Sequence, residues 1–66
     1  MDSKQFGAVV RKTLEARGVK FAFAAGQIGM SRQVLYAKML GVNPWKLDEA
    51  LKAIKAFGLP QDILMK

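Results

Sequence analysis

An all-α fold of five short helices in one unit is what this sequence predicts, and three observations carry that expectation. Gly18, Gly29, Gly41 with Pro44, and Gly58 with Pro60 punctuate the chain at intervals of helical length. The blocks between them space their apolar residues for a helix, with neighbours three and four apart. No block combines apolar and polar alternation with β-branched enrichment, so no strand is expected. At 66 residues the chain has room for one core and no second domain, which makes residues 1–66 a single unit.

Each block has its own signals. In the first, Phe6, Val9, Val10, Thr13 and Leu14 recur at helical spacing after Asp2 or Ser3, either of which can cap, and Gly18 stops the run. The expected helix is Ser3 to Arg17. The second, Phe21 to Ile28, is Ala-rich and too short to be stable alone, so packing must hold it. The third opens on Ser31, a good N-cap, and runs from Arg32 to Leu40 before Gly41. The fourth, from about Pro44 or Lys46 to Phe57, is expected to place Leu47, Leu51 and Ile54 on one side with Ala50 beside them. The fifth starts at Pro60, a residue favoured in a first helical turn, and carries Ile63 and Leu64. Phe6, Phe21, Phe23 and Phe57 are expected in the core, with Trp45 covering it.

Composition narrows the function. With no Cys and no His the chain forms no disulfide, no thiolate or imidazole metal site, and no Cys-His or Ser-His nucleophile pair. Of the five carboxylates only Asp48 and Glu49 adjoin, and neighbours on a helix do not face each other. A non-enzyme is therefore expected, with no cofactor and no small-molecule substrate. The longest apolar run, Phe21 to Ala25, is far below the roughly 20 residues that span a bilayer, so the expected location is cytoplasmic with no membrane partner. Eleven Lys and Arg against five Asp and Glu give a formal charge of +6, which suits a polyanionic partner.

The most informative stretch joins the second and third blocks. Two helices that meet across a tight turn need a small residue where they approach, which Ala25 supplies, and a residue tolerant of positive φ, which Gly29 supplies. Met30 can then plug the gap while Ser31 caps the next helix, with Ile28 and Leu35 as the apolar contacts. Here the chain resembles the lambda-repressor-like or Cro-type helix-turn-helix regulators, and within them short phage-encoded regulators of Gram-positive bacteria. The resemblance spans nearly the whole chain. It runs through Ser31-Arg32-Gln33-Val34-Leu35-Tyr36-Ala37-Lys38-Met39-Leu40-Gly41, continues in Pro44-Trp45-Lys46 and Asp48-Glu49, and ends in Ala56-Phe57-Gly58-Leu59-Pro60. It implies a compact five-helix domain whose second and third helices form a helix-turn-helix that binds operator half-sites of double-stranded DNA through the major groove, as a transcriptional repressor. The chain departs from the family at Phe21, Ala22 and Phe23, where a polar residue usually meets a phosphate, with Lys20 the nearest substitute. It departs again at Lys38, where many relatives are apolar and Met39 is expected to supply the contact instead.

The third helix carries the chemical case. The 100° step sends Leu35 and Met39 to one side and Gln33, Ala37 and Leu40 to another, with Arg32 and Tyr36 between. Arg32 can donate bidentately to guanine, Gln33 can read adenine, Ala37 can touch a thymine methyl, and Ser31 can reach a base or a phosphate. Lys20, Lys38 and Lys46 are the phosphate candidates, with Asn43 assisting from the loop and Tyr36 either donating to a phosphate or lying over the helix pair. One such helix contacts few bases, so a homodimer on DNA is expected. Phe57, Leu59 and Ile63 are its candidate interface, unless the same residues close the core. Two other readings stand beside this one. The first is a protein-interaction module, antitoxin-like or antirepressor, using the same helical surface; the second is a sequence-indifferent, nucleoid-type DNA binder.

Overall fold

The computed structural model describes residues 2–60 and 62, and these form an all-helical fold with no strand among them. Four helices follow in order: α1 Ser3–Arg17, α2 Phe21–Gln27, α3 Arg32–Met39 and α4 Leu47–Phe57. The bounds of α1 are those expected, α2 and α3 each end one residue early, and α4 starts after Lys46. Where five helices are expected, the described residues hold four. The fifth block, with Ile63 and Leu64, falls outside them.

Local chemistry explains the helix ends. Asp2, not Ser3, caps α1, its carboxylate accepting from the Lys4 N–H at 3.0 Å and the Gln5 N–H at 3.2 Å. The helix stops at Gly18, where φ is +67° and the following Val19 N–H reaches back to the Leu14 carbonyl at 3.0 Å. Between α2 and α3 the turn centres on Gly29 with φ +73°, a conformation open to glycine and costly for other residues. Met30 donates back to the Ala25 carbonyl at 3.0 Å, and the Ser31 hydroxyl accepts from the Val34 N–H at 3.2 Å. At α4 the Lys46 N–H donates to the Glu49 carboxylate at 3.0 Å, an N3 glutamate folding back over the helix start.

α3 packs against both α1 and α2, and α4 closes the unit across α1. The core takes Phe6, Val10 and Leu14 from α1, Ala24, Ala25 and Ile28 from α2 and its turn, and Leu35 and Met39 from α3. Ala50, Ala53, Ile54 and Phe57 come from α4, joined by Trp45 and Leu59. Contact between α1 and α3 is close because residue 7 is glycine. A Cβ there would stand 2.5 Å from the Lys38 carbonyl oxygen and 3.0 Å from the Met39 Cα. Trp45 lies edge-on to Phe6 with centroids 4.9 Å apart, its indole N–H donating to the Lys38 carbonyl at 3.2 Å and its backbone N–H to the Ser3 hydroxyl at 3.0 Å. Covering the core, as expected, it also pins the α3–α4 loop to α1.

Two expectations about the core need correction. Leu47 and Leu51 do not share the buried side of α4 but stand 62% and 47% exposed, because the inward stripe runs through Ala50, Ala53, Ile54 and Phe57. Small residues at 50 and 53 let α4 sit close, and the leucines are left on its flank. Phe23 is 64% exposed rather than in the core, since Ala24, Ala25 and Ile28 set the inner side of α2 and Phe23 projects away from it.

Candidate nucleic-acid interface

The outward side of α3 gathers the residues the sequence singles out. Leu35 and Met39 are buried and fix the helix's inner side, which leaves Ser31, Arg32, Gln33 and Tyr36 exposed and Ala37 half-buried on the outer one. Arg32, Gln33 and Tyr36 line a hollow of about 270 Å³ beside the first turn. The Tyr36 ring leans over Phe21 with centroids 6.2 Å apart and planes 34° from parallel, joining α3 to the start of α2. The ring thus lies over the helix pair while Tyr36 stays 41% exposed at the surface.

Lys20 is exposed at the N-cap of α2 and makes no side-chain capping bond there. Asn43 is exposed on the α3–α4 loop, tied back to α3 by its N–H to the Ala37 carbonyl at 3.3 Å. Lys46 is exposed at the N-cap of α4.

Lys38 is not a phosphate contact. Standing three residues after Leu35 and next to Met39, it points to the inner side of α3 and is 7% exposed. Its ammonium donates to Glu49 Oε1 at 2.7 Å and to the Pro44 carbonyl at 2.9 Å, so it ties α3, the loop and α4 together. Burial pushes the Glu49 carboxyl up. That push is outweighed by the Lys38 hydrogen bond, the Lys46 N–H and the charges of both lysines, so the group lies below the ordinary carboxylate value.

The expected dimer interface also changes. Phe57 and Leu59 are 4% and 7% exposed within the core and offer no surface to a second chain, while Ile63 lies outside the described residues. Both do what the competing expectation named, closing the core.

Sequence reasoning missed two features. The Arg17 guanidinium donates to the Phe57 carbonyl, joining the C-terminal ends of α1 and α4. The second is a groove of about 400 Å³ between α1 and the end of α3, lined by Lys4, Ala8, Arg11, Lys12, Glu15, Met39 and Leu40. Its signal in the sequence is the spacing of Lys4, Arg11 and Lys12, at i, i+7 and i+8 on one face of α1.

Comparison finds no family model, no curated protein and no solved structure that matches the chain. Among the described residues no group of His, Cys, Asp and Glu is placed to hold a metal ion, and no helix is long and apolar enough to cross a membrane.

Proposed function

We propose that the chain is a sequence-specific, double-stranded DNA-binding transcriptional regulator of the lambda-repressor-like, Cro-type helix-turn-helix class, a phage or prophage repressor acting in the bacterial cytoplasm as a homodimer. One observation carries the reading. The first turn of α3 is capped by Ser31 and anchored through Leu35 and Met39, while Arg32 and Gln33 stand free of the core with Tyr36 beside them. A helix held rigidly from behind, with a fork of donors and an amide at its exposed start, has what major-groove readout requires. Arg32 at a helix N-terminus is unfavourable against the helix dipole, so a guanine contact gives the charge a purpose that solvation does not.

In this reading Arg32, Gln33, Ala37 and Ser31 read bases, and Lys20, Lys46, Asn43 and the Tyr36 hydroxyl take phosphates. Arg32→Ala is expected to cost about 1–3 kcal/mol per half-site on the preferred duplex, selected from a random pool, and far less on a scrambled one. Lys46→Ala should weaken both duplexes by similar factors. Equal losses on the two duplexes for Arg32→Ala would remove the base-reading role.

The exposed Phe23, Val34 and Leu40, at 64%, 40% and 42%, favour a second reading, the protein-interaction module that is antitoxin-like or antirepressor. Failure of the protein to bind any duplex at low salt would select it.

A further inference from the structure

We propose that the groove between α1 and the end of α3 is a second phosphate-binding surface, in which Lys4 and Lys12 clamp the DNA strand at the end of α3 opposite Arg32. The inference rests on the DNA reading above and adds residues to it that the α3 face does not contain.

The cations already assigned come from α3 and from the N-caps of α2 and α4, where Lys46 follows the α3–α4 loop, and none comes from α1. Lys20 lies at the start of α2 and Arg32 at the start of α3, while Lys38, the lysine nearest the other end of α3, is buried against Glu49 and Pro44. α3 has 8 residues and is therefore about 12 Å long, close to the width of the major groove, about 12 Å. A helix of that length lying across the groove from its first turn brings its last residues to a phosphate strand.

At those last residues the groove begins. Leu40 is exposed on the same side of α3 as Gln33 and Ala37, and it lines the groove with Met39. Across from it, Lys4, Ala8, Arg11 and Lys12 form one stripe of α1. The close approach at Gly7 fixes α1 to the end of α3, so the stripe is held rigidly beside it. Lys4 and Lys12 are exposed, and the stem of Lys4 lies over Gly41, which directs it along the end of α3. Among the described residues Glu15 is the one acidic residue lining the groove, and its carboxylate faces Arg11 at 3.7 Å. That pairing leaves Lys4 and Lys12 to meet an anion. Backbone phosphate is favoured over an acidic peptide because the groove adjoins the α3 face and not a surface of its own.

The test compares two charge-matched variants of the full chain. Lys4→Gln/Lys12→Gln empties the groove of its two exposed lysines, and Lys52→Gln/Lys55→Gln removes two exposed lysines of α4 that do not line it. Affinity for the preferred and the scrambled duplex is measured from 0.05 to 0.3 M salt. Lys20 and Lys46 alone, in two protomers, give a slope of log K against log salt of about −3.6, and adding Lys4 and Lys12 makes it about −7. The groove variant should return the slope to the smaller value and weaken both duplexes alike, by on the order of 300-fold at 0.2 M salt for a dimer. The α4 variant should keep the steeper slope. Because the Lys4 stem touches Gly41, Lys12→Gln alone is measured too, with half the change in slope expected. If the unaltered protein binds duplex and the groove variant behaves like the α4 variant, the clamp is overturned while the DNA reading survives, and the groove is left to a protein ligand. If the unaltered protein binds no duplex at low salt, the DNA reading itself falls and the clamp with it.

Discussion

Removing either partner of the Lys38–Glu49 pair should have unequal consequences, and the inequality follows from where each end lies. The Lys38 side chain is 8% exposed and the Glu49 side chain 22%, with 2.7 Å between ammonium and carboxylate. Glu49→Ala strips the ammonium of the one counter-charge it has among the described residues, leaves it the Pro44 carbonyl as its described partner, and frees the Lys46 N–H at the start of α4. Breaking a fully buried pair costs about 3–5 kcal/mol. The partial exposure of Glu49 lowers the expected figure here to about 2–3 kcal/mol. Lys38→Met keeps a similar volume and leaves a carboxylate that reaches water while still accepting from the Lys46 N–H, so about 1 kcal/mol is expected. In the double variant no orphaned ammonium remains, and its loss should fall short of the sum of the two by at least about 1 kcal/mol. Urea denaturation followed by the helical circular-dichroism signal reads all three at neutral pH. Acid adds an independent check. A carboxyl whose folded value lies below its unfolded one stabilises fully above the ordinary carboxylate range, and that stability is lost as pH falls through the folded value. Wild-type protein should therefore lose its advantage over Glu49→Ala on acidification below about pH 4. Equal losses in the two single variants at pH 7, or a gap that does not narrow down to pH 2, would refute the reasoning.

Two other perturbations test the packing. Gly7→Ala should destabilise by about 1–3 kcal/mol despite the better helix propensity of alanine, since its Cβ would meet the Lys38 carbonyl oxygen at 2.5 Å; an unchanged or raised urea midpoint would show that α1 and α3 can separate freely. Phe57→Ala should cost about 3–5 kcal/mol and lower the thermal midpoint equally at every protein concentration, because its ring is 4% exposed within one chain; a loss that grows on dilution would return Phe57 to an interface between chains.

Much of the secondary structure was legible along the chain, because helix ends here are decided within a few residues. Asp2, Ser31, Gly18 and Gly58 act on backbone groups at most five positions away, and the bounds of α1 and α3 follow from them to within a residue. The outer side of α3 was legible for the same reason. Buried Leu35 and Met39 fix the helix's rotation, and Ser31, Arg32, Gln33 and Tyr36 must then face out. Which of several apolar or charged residues wins the interior was not legible, since that depends on how near another helix comes. Leu47 and Leu51 are more apolar than Ala50 and Ala53, yet the alanines are buried because they let α4 approach. A lysine reads as surface until a carboxylate eleven residues later meets it, as Glu49 meets Lys38. The groove holding Lys4 and Lys12 exists only because Gly7 brings α1 against the end of α3. Local hydrogen bonds and helical periodicity are properties of the chain by itself; burial and charge pairing belong to distances between segments, which only the packed structure sets.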